Sequence, residues 1–89
     1  MRVCRPSHVF WGIVDAETIV CDARNGELFT LNATAGLLWN FCDGRSAESL
    51  VTHLTATFPD HDTKILAADV ASFVESMRDR GLLKADGER

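Results

Sequence analysis

Gly26-Glu27-Leu28-Phe29-Thr30-Leu31-Asn32 is the stretch that decides the fold. Glu27 to Leu31 reads as a short strand, because apolar and β-branched residues crowd it and a turn glycine precedes it. Asn32 is suited to cap a helix, since its side-chain oxygen can accept from a free amide of the first turn. Ala35, Leu38, Trp39 and Cys42 then recur at helical spacing, and Gly44 fits the left-handed residue that ends such a helix. The chain therefore changes here from strands to helices.

Upstream, His8 to Val14 (HVFWGIV) predicts a strand, with Gly12 marking a bulge or a close backbone approach. Asp15-Ala16-Glu17 is a polar turn, and Thr18 to Asp22 predicts a second strand. Arg24-Asn25-Gly26 carries the Asn-Gly signal of a tight hairpin, which brings Glu27 to Leu31 back as a third. Connections this short specify an antiparallel meander. Residues 1–6 read as a flexible arm.

Downstream, Ser46 caps a second helix with the apolar stripe Ala47, Leu50, Val51, Leu54 and Phe58, broken at Phe58-Pro59-Asp60. Asp62 or Thr63 caps a third, which lines up Leu66, Val70, Phe73, Val74 and Met77. Gly81 stops it, Leu82-Leu83 fold back onto it, and residues 84–89 read as a polar tail. Three strands cannot bury an apolar face alone, so the helices must cover it. The expected architecture is a single α+β domain over 1–89, winged-helix-like, with a three-stranded antiparallel sheet followed by three helices.

Composition narrows the function. The 89 residues are 46% hydrophobic and 25% charged, as in an ordinary globule. No apolar run approaches the ~20 residues of a membrane span, and no signal-peptide layout opens the chain, so a cytoplasmic location is expected. Cys4, Cys21 and Cys42 are odd in number and widely spaced, which argues against a disulfide framework; no metal site or cofactor is expected. Net charge is −4, and the nine basic residues are scattered among thirteen acidic ones. Nucleic-acid affinity needs clustered cations, so no nucleic-acid partner is expected.

Nothing in the chain assembles a catalytic constellation. There is no nucleophile elbow, phosphate loop or metal-binding histidine pair. Asp60-His61-Asp62 sits just ahead of a helix, where acids favour the cap and the macrodipole. Cys42 has Asp43 beside it, and a carboxylate raises a thiol's pKa instead of activating it. Trp39 belongs to a core stripe. Phe10 and Trp11 point to opposite faces of their strand, so one of them contacts either a partner or the N-terminal arm.

Binding is left, and the third strand offers it. In a simple meander one flank of Glu27 to Leu31 is unpaired. Phe29 and Leu31 lie on one face, Leu28 and Thr30 on the other. Either an incoming peptide adds there as a strand beside the third helix, or a helix or the tail covers the edge. An open edge also permits a monomer or an edge-paired dimer.

The order Leu31-Asn32…Leu38-Trp39…Asp43-Gly44, Ser46-Ala47-Glu48, Ala68-Asp69-Val70…Phe73-Val74…Met77, Gly81-Leu82-Leu83 resembles the PqqD-like family of precursor-peptide recognition elements, from about His8 to Leu83. The resemblance implies a non-catalytic protein that binds the leader segment of a ribosomally made precursor peptide and presents it to a separate leader protease or modifying enzyme. It implies a leader-binding site of Glu27, Leu28, Phe29, Thr30 and Leu31 with Leu66, Asp69, Val70, Phe73, Val74 and Met77. Pro6…His8-Val9 looks most like the stand-alone leader-binding protein of lasso-peptide biosynthesis. Ala33-Thr34-Ala35-Gly36 departs from the Pro-Thr-Gly of many lasso relatives. The alternatives are a peptide chaperone of pyrroloquinoline quinone biosynthesis and, outside the family, a winged-helix regulator.

Overall fold

The structure, a computed structural model, describes residues 2–85. In chain order the elements are β1 (Arg2–Cys4), β2 (Val9–Val14), β3 (Glu17–Asp22), β4 (Glu27–Leu31), α1 (Ala33–Phe41), β5 (Arg45–Ser46), α2 (Ala47–Thr57), α3 (Thr63–Asp79) and β6 (Lys84–Ala85). The expected antiparallel sheet is β2-β3-β4, followed by three helices, so the chain is α+β. Winged helix describes it only loosely.

Local chemistry sets the sheet. Val14 pairs with Glu17 across a two-residue turn, and both turn residues, Asp15 (φ 51°) and Ala16 (φ 66°), are left-handed. That geometry matches the right-handed twist of the flanking strands. Gly12 pairs regularly with Ile19, so the expected bulge is not there. The β3–β4 connection is also longer than the expected tight turn. Ala23 to Gly26 form a four-residue loop because local acceptors satisfy its amides. Gly26 N donates to the Asp22 carbonyl (2.8 Å), Arg24 N to Asp22 Oδ1 (3.0 Å) and Glu27 N to Asn25 Oδ1 (2.9 Å).

The helices begin and end as their capping residues dictate. Asn32 Oδ1 accepts from Ala35 N (2.8 Å), Ser46 Oγ from Ser49 N (3.1 Å) and Asp62 Oδ1 from Lys64 N (2.8 Å). After α3, Gly81 (φ 73°) lets Leu82 N reach back to the Met77 carbonyl at 2.9 Å, and Gly81 N to that of Arg78 at 3.0 Å. This is the double bond of a Schellman ending. It drives Leu82 and Leu83 into the core.

Arg2 to Pro6 differ from the flexible arm expected over residues 1–6. Arg2–Cys4 is the middle strand of a second sheet, ordered β5-β1-β6, and Val3 is 0% exposed. The Val3 carbonyl also accepts from Gly44 N (2.8 Å). Lys84 and Ala85, assigned to the tail, form the other edge of this sheet; Met1 and residues 86–89 lie outside the described residues. The core joins Val3, Val20 and Leu31 to Leu38, Trp39, Leu50, Leu54, Val70 and Leu82. α1 crosses the sheet closely at Gly36, where an added Cβ would lie 2.9 Å from Thr18 Oγ1.

Candidate functional site

β4 is an edge strand of its sheet among the described residues. The direction of its main-chain groups follows from one bond. Ala23 N donates to the His8 carbonyl at 2.8 Å, so the β3 residues in phase with it (Cys21, Ile19 and Glu17) also aim at β2. Thr18, Val20 and Asp22 therefore aim at β4, where their partners are Leu31, Phe29 and Glu27. The N–H and C=O groups of Leu28 and Thr30 consequently point out of the free edge.

Side chains alternate on the perpendicular axis. Leu31 is buried and Phe29 half-buried on the helix side, while Leu28 and Thr30 are exposed on the outer face. The guanidinium carbon of Arg80, just past the end of α3, lies 5.0 Å from the centre of the Phe29 ring. Arg80 thus closes one end of the space between β4 and α3.

At the other end of β4, a cleft of about 330 Å³ opens between α1 and α3. Asn32, Thr34, Ala35 and Leu38 form one wall; Asp69, Ser72, Phe73, Ser76 and Met77 form the other. Its base is apolar and its rim hydroxylic, with a single carboxylate. It offers hydrogen bonds and apolar contact to an extended chain, and no acid–base pair.

Sequence reasoning nominated five α3 positions besides Asp69, and the structure divides them. Phe73 and Met77 reach the cleft together with Asp69. Leu66 and Val70 are buried in the core, where they hold α3 in place. Val74 turns the other way, into a separate hollow with Ala47, Ala71 and Leu83. The reason is angular: one face of a 3.6-residue helix carries only some positions of a wide apolar stripe. Asn32, Thr34, Ala35, Leu38, Ser72 and Ser76 line the cleft and Arg80 covers Phe29, and sequence reasoning nominated none of them. The spacing of Asp69, Ser72, Phe73 and Ser76 (i, i+3, i+4, i+7) was the available signal for the α3 members.

Beside the Arg80 end, the buried Asp22 accepts from Arg24 Nη2 (2.8 Å) and Nε (3.1 Å). This guanidinium, opposed by desolvation, holds the Asp22 carboxyl at about 2. His8 Nε2 donates to the Gly81 carbonyl at 2.8 Å, tying the start of β2 to the end of α3. Elsewhere, burial pushes the Cys42 thiol up to about 11, against the nearby Arg5 cation. Such a thiol is a poor nucleophile at neutral pH. Among the described residues, no three His, Cys, Asp or Glu side chains gather as a metal would need. No helix among them is long and apolar enough to cross a membrane.

A family model described as coenzyme PQQ synthesis protein D (PqqD) matches residues 17–83. No curated protein matches the sequence. Among solved structures, the fold is similar to TbiB1 in complex with the TbiA(beta) leader peptide (TM-score 0.83, 21% identity, 97% of this chain and 98% of that one). It is also similar to a lasso peptide synthetase B1 complexed with the leader peptide (TM-score 0.82, 23% identity, 96% of this chain and 100% of the other).

Proposed function

We propose that this chain, which belongs to the PqqD family, is a non-catalytic binding protein for the leader segment of a ribosomally made precursor peptide. The leader adds as a strand to the free edge of β4 and packs along the α3 side that carries Asp69, Phe73 and Met77. The observation that carries this reading is the coincidence of two features. The main-chain groups of Leu28 and Thr30 point out of an edge strand, and a cleft between α1 and α3 opens where that strand ends at Asn32. Main-chain bonds supply affinity in strand addition, and the flanking pocket supplies selectivity. The two similar structures, both complexes with a leader peptide, support the reading.

The captured leader is delivered to a separate leader protease or modifying enzyme in the cytoplasm, in a maturation of the lasso-peptide type. Leu66, Val70 and Val74 serve the site indirectly, by seating α3. A second reading rests on the description of the matched family: the same edge would then hold the precursor of pyrroloquinoline quinone for its modifying enzyme.

Titration of isotope-labelled protein with the leader of a short precursor encoded beside its gene tests the proposal. Amide shifts concentrated in Glu27–Leu31 and along Asp69–Met77, saturating at micromolar concentration or below, are expected. Shifts confined to other elements would overturn the site, and no shifts with that leader would overturn the function.

A further inference from the structure

The opposite edge of the main sheet, β2, is also an edge strand among the described residues and is far more apolar than β4; the N-terminal segment touches only its first half, where the Arg5 guanidinium carbon lies 4.7 Å from the centre of the Trp11 ring. β2 (VFWGIV) carries no charge and no proline. Phe10 is 63% exposed, Trp11 40%, Ile13 61% and Val14 56%. Proteins usually blunt such an edge with a lysine, a proline or a covering segment, because an unprotected apolar edge is a template for another strand. Phe10, Gly12 and Val14 bond to β3, by the same phase that sets the β4 edge, so Trp11 and Ile13 aim their main-chain groups outward. The outward amide of Val9 is already used, on the Pro6 carbonyl (3.2 Å).

The four exposed side chains flank Gly12 symmetrically, two on each side. Gly12 itself has no local explanation: it sits in regular pairing, and nothing lies within 4 Å of where its Cβ would be. We propose that β2 is the docking edge for a second copy of this chain, paired antiparallel about a two-fold axis through Gly12.

That register is self-consistent. Trp11 lies opposite Ile13 of the other copy, so both outward main-chain pairs are satisfied, four bonds in all by symmetry, and Val9 is not needed. Phe10 lies opposite Val14 of the other copy on the outer face. Every exposed apolar side chain of β2 thereby gains an aromatic–aliphatic cross-strand partner, a favourable combination in sheets. Gly12 meets its own copy on the axis at a non-hydrogen-bonded position, where antiparallel strands come closest. A contact through one strand is small, so the dimer is a reversible one. It leaves β4 free, which makes it independent of the leader reading.

Sedimentation equilibrium on the full chain tests this. The expected result is a monomer–dimer equilibrium whose dissociation constant rises tenfold or more in Ile13→Lys, with an unchanged thermal melt. A monomeric mass at every concentration overturns the proposal, as does a dimer indifferent to Ile13→Lys or one dissolved by a β4-binding leader. Register is read with single introduced cysteines, in a chain whose Cys4 and Cys21 are replaced by serine and whose remaining Cys42 is buried. Gly12→Cys should cross-link to itself under mild oxidation and Phe10→Cys should not. The reverse pattern, or no cross-link, overturns the two-fold axis at Gly12.

Discussion

At Asp22 a buried carboxylate is held by a side chain only two residues away. Arg24 bonds it through two guanidinium nitrogens and its own backbone amide, and its pKa falls from 3.8 to about 2. The sign follows from linkage. A carboxyl with a depressed folded pKa contributes stability that is fully present above 3.8 and is lost as pH falls toward about 2. Asp22→Asn should therefore be less stable than wild type at neutral pH. The gap should shrink as urea midpoints are followed down through that window. A gap independent of pH would mean that Asp22 acts through loop geometry alone. The pairing was hard to read from sequence, since whether two side chains two residues apart meet across a strand end depends on the path of the loop that follows. They meet here because Gly26 closes a four-residue loop.

At the scale of elements, β4 and α3 carry different kinds of information. The strand Glu27–Leu31 was legible to the residue, because alternation, the cap at Asn32 and the turn glycine all mark its limits. Which of its amides point outward depended on pairing phase, and this makes Thr30→Pro a clean probe. The substitution removes one outward donor without touching a bond to β3. A neutral main-chain bond contributes about 1 kcal/mol, so leader affinity should fall about fivefold or more while the thermal melt stays near wild type. Unchanged affinity, measured by calorimetric titration, would rule out pairing at that position. Phe73→Ala is a poorer probe because Phe73 is buried, and the truncation would cost ~3–5 kcal/mol of stability. For α3 the stripe was legible and its division was not. Phe73 and Val74 are neighbours in sequence, yet about a third of a turn apart on the helix they line different hollows.

For the molecule as a whole, the second sheet is the main departure from expectation. β1 joins the N-terminal segment to the α1–α2 connection through β5 and to the C-terminal segment through β6. Val3→Ala should accordingly destabilise the fold by about 2 kcal/mol, from two lost methyl groups and the cavity they leave. A thermal melt would read this directly; residues in a loose arm would show no change. By itself, the sequence determined the meander, three helix starts and the end of α3. These depend on near neighbours: a capping oxygen, a glycine at positive φ, an apolar period. Tertiary structure alone decided the use of residues 2–4, the phase of the β4 amides, the partition of the α3 stripe and the exposure of β2. Each of these depends on partners distant in sequence. Three-residue strands such as β1 are too short to show a period, and only Arg45–Ser46 and Lys84–Ala85, brought alongside, make one of them a strand.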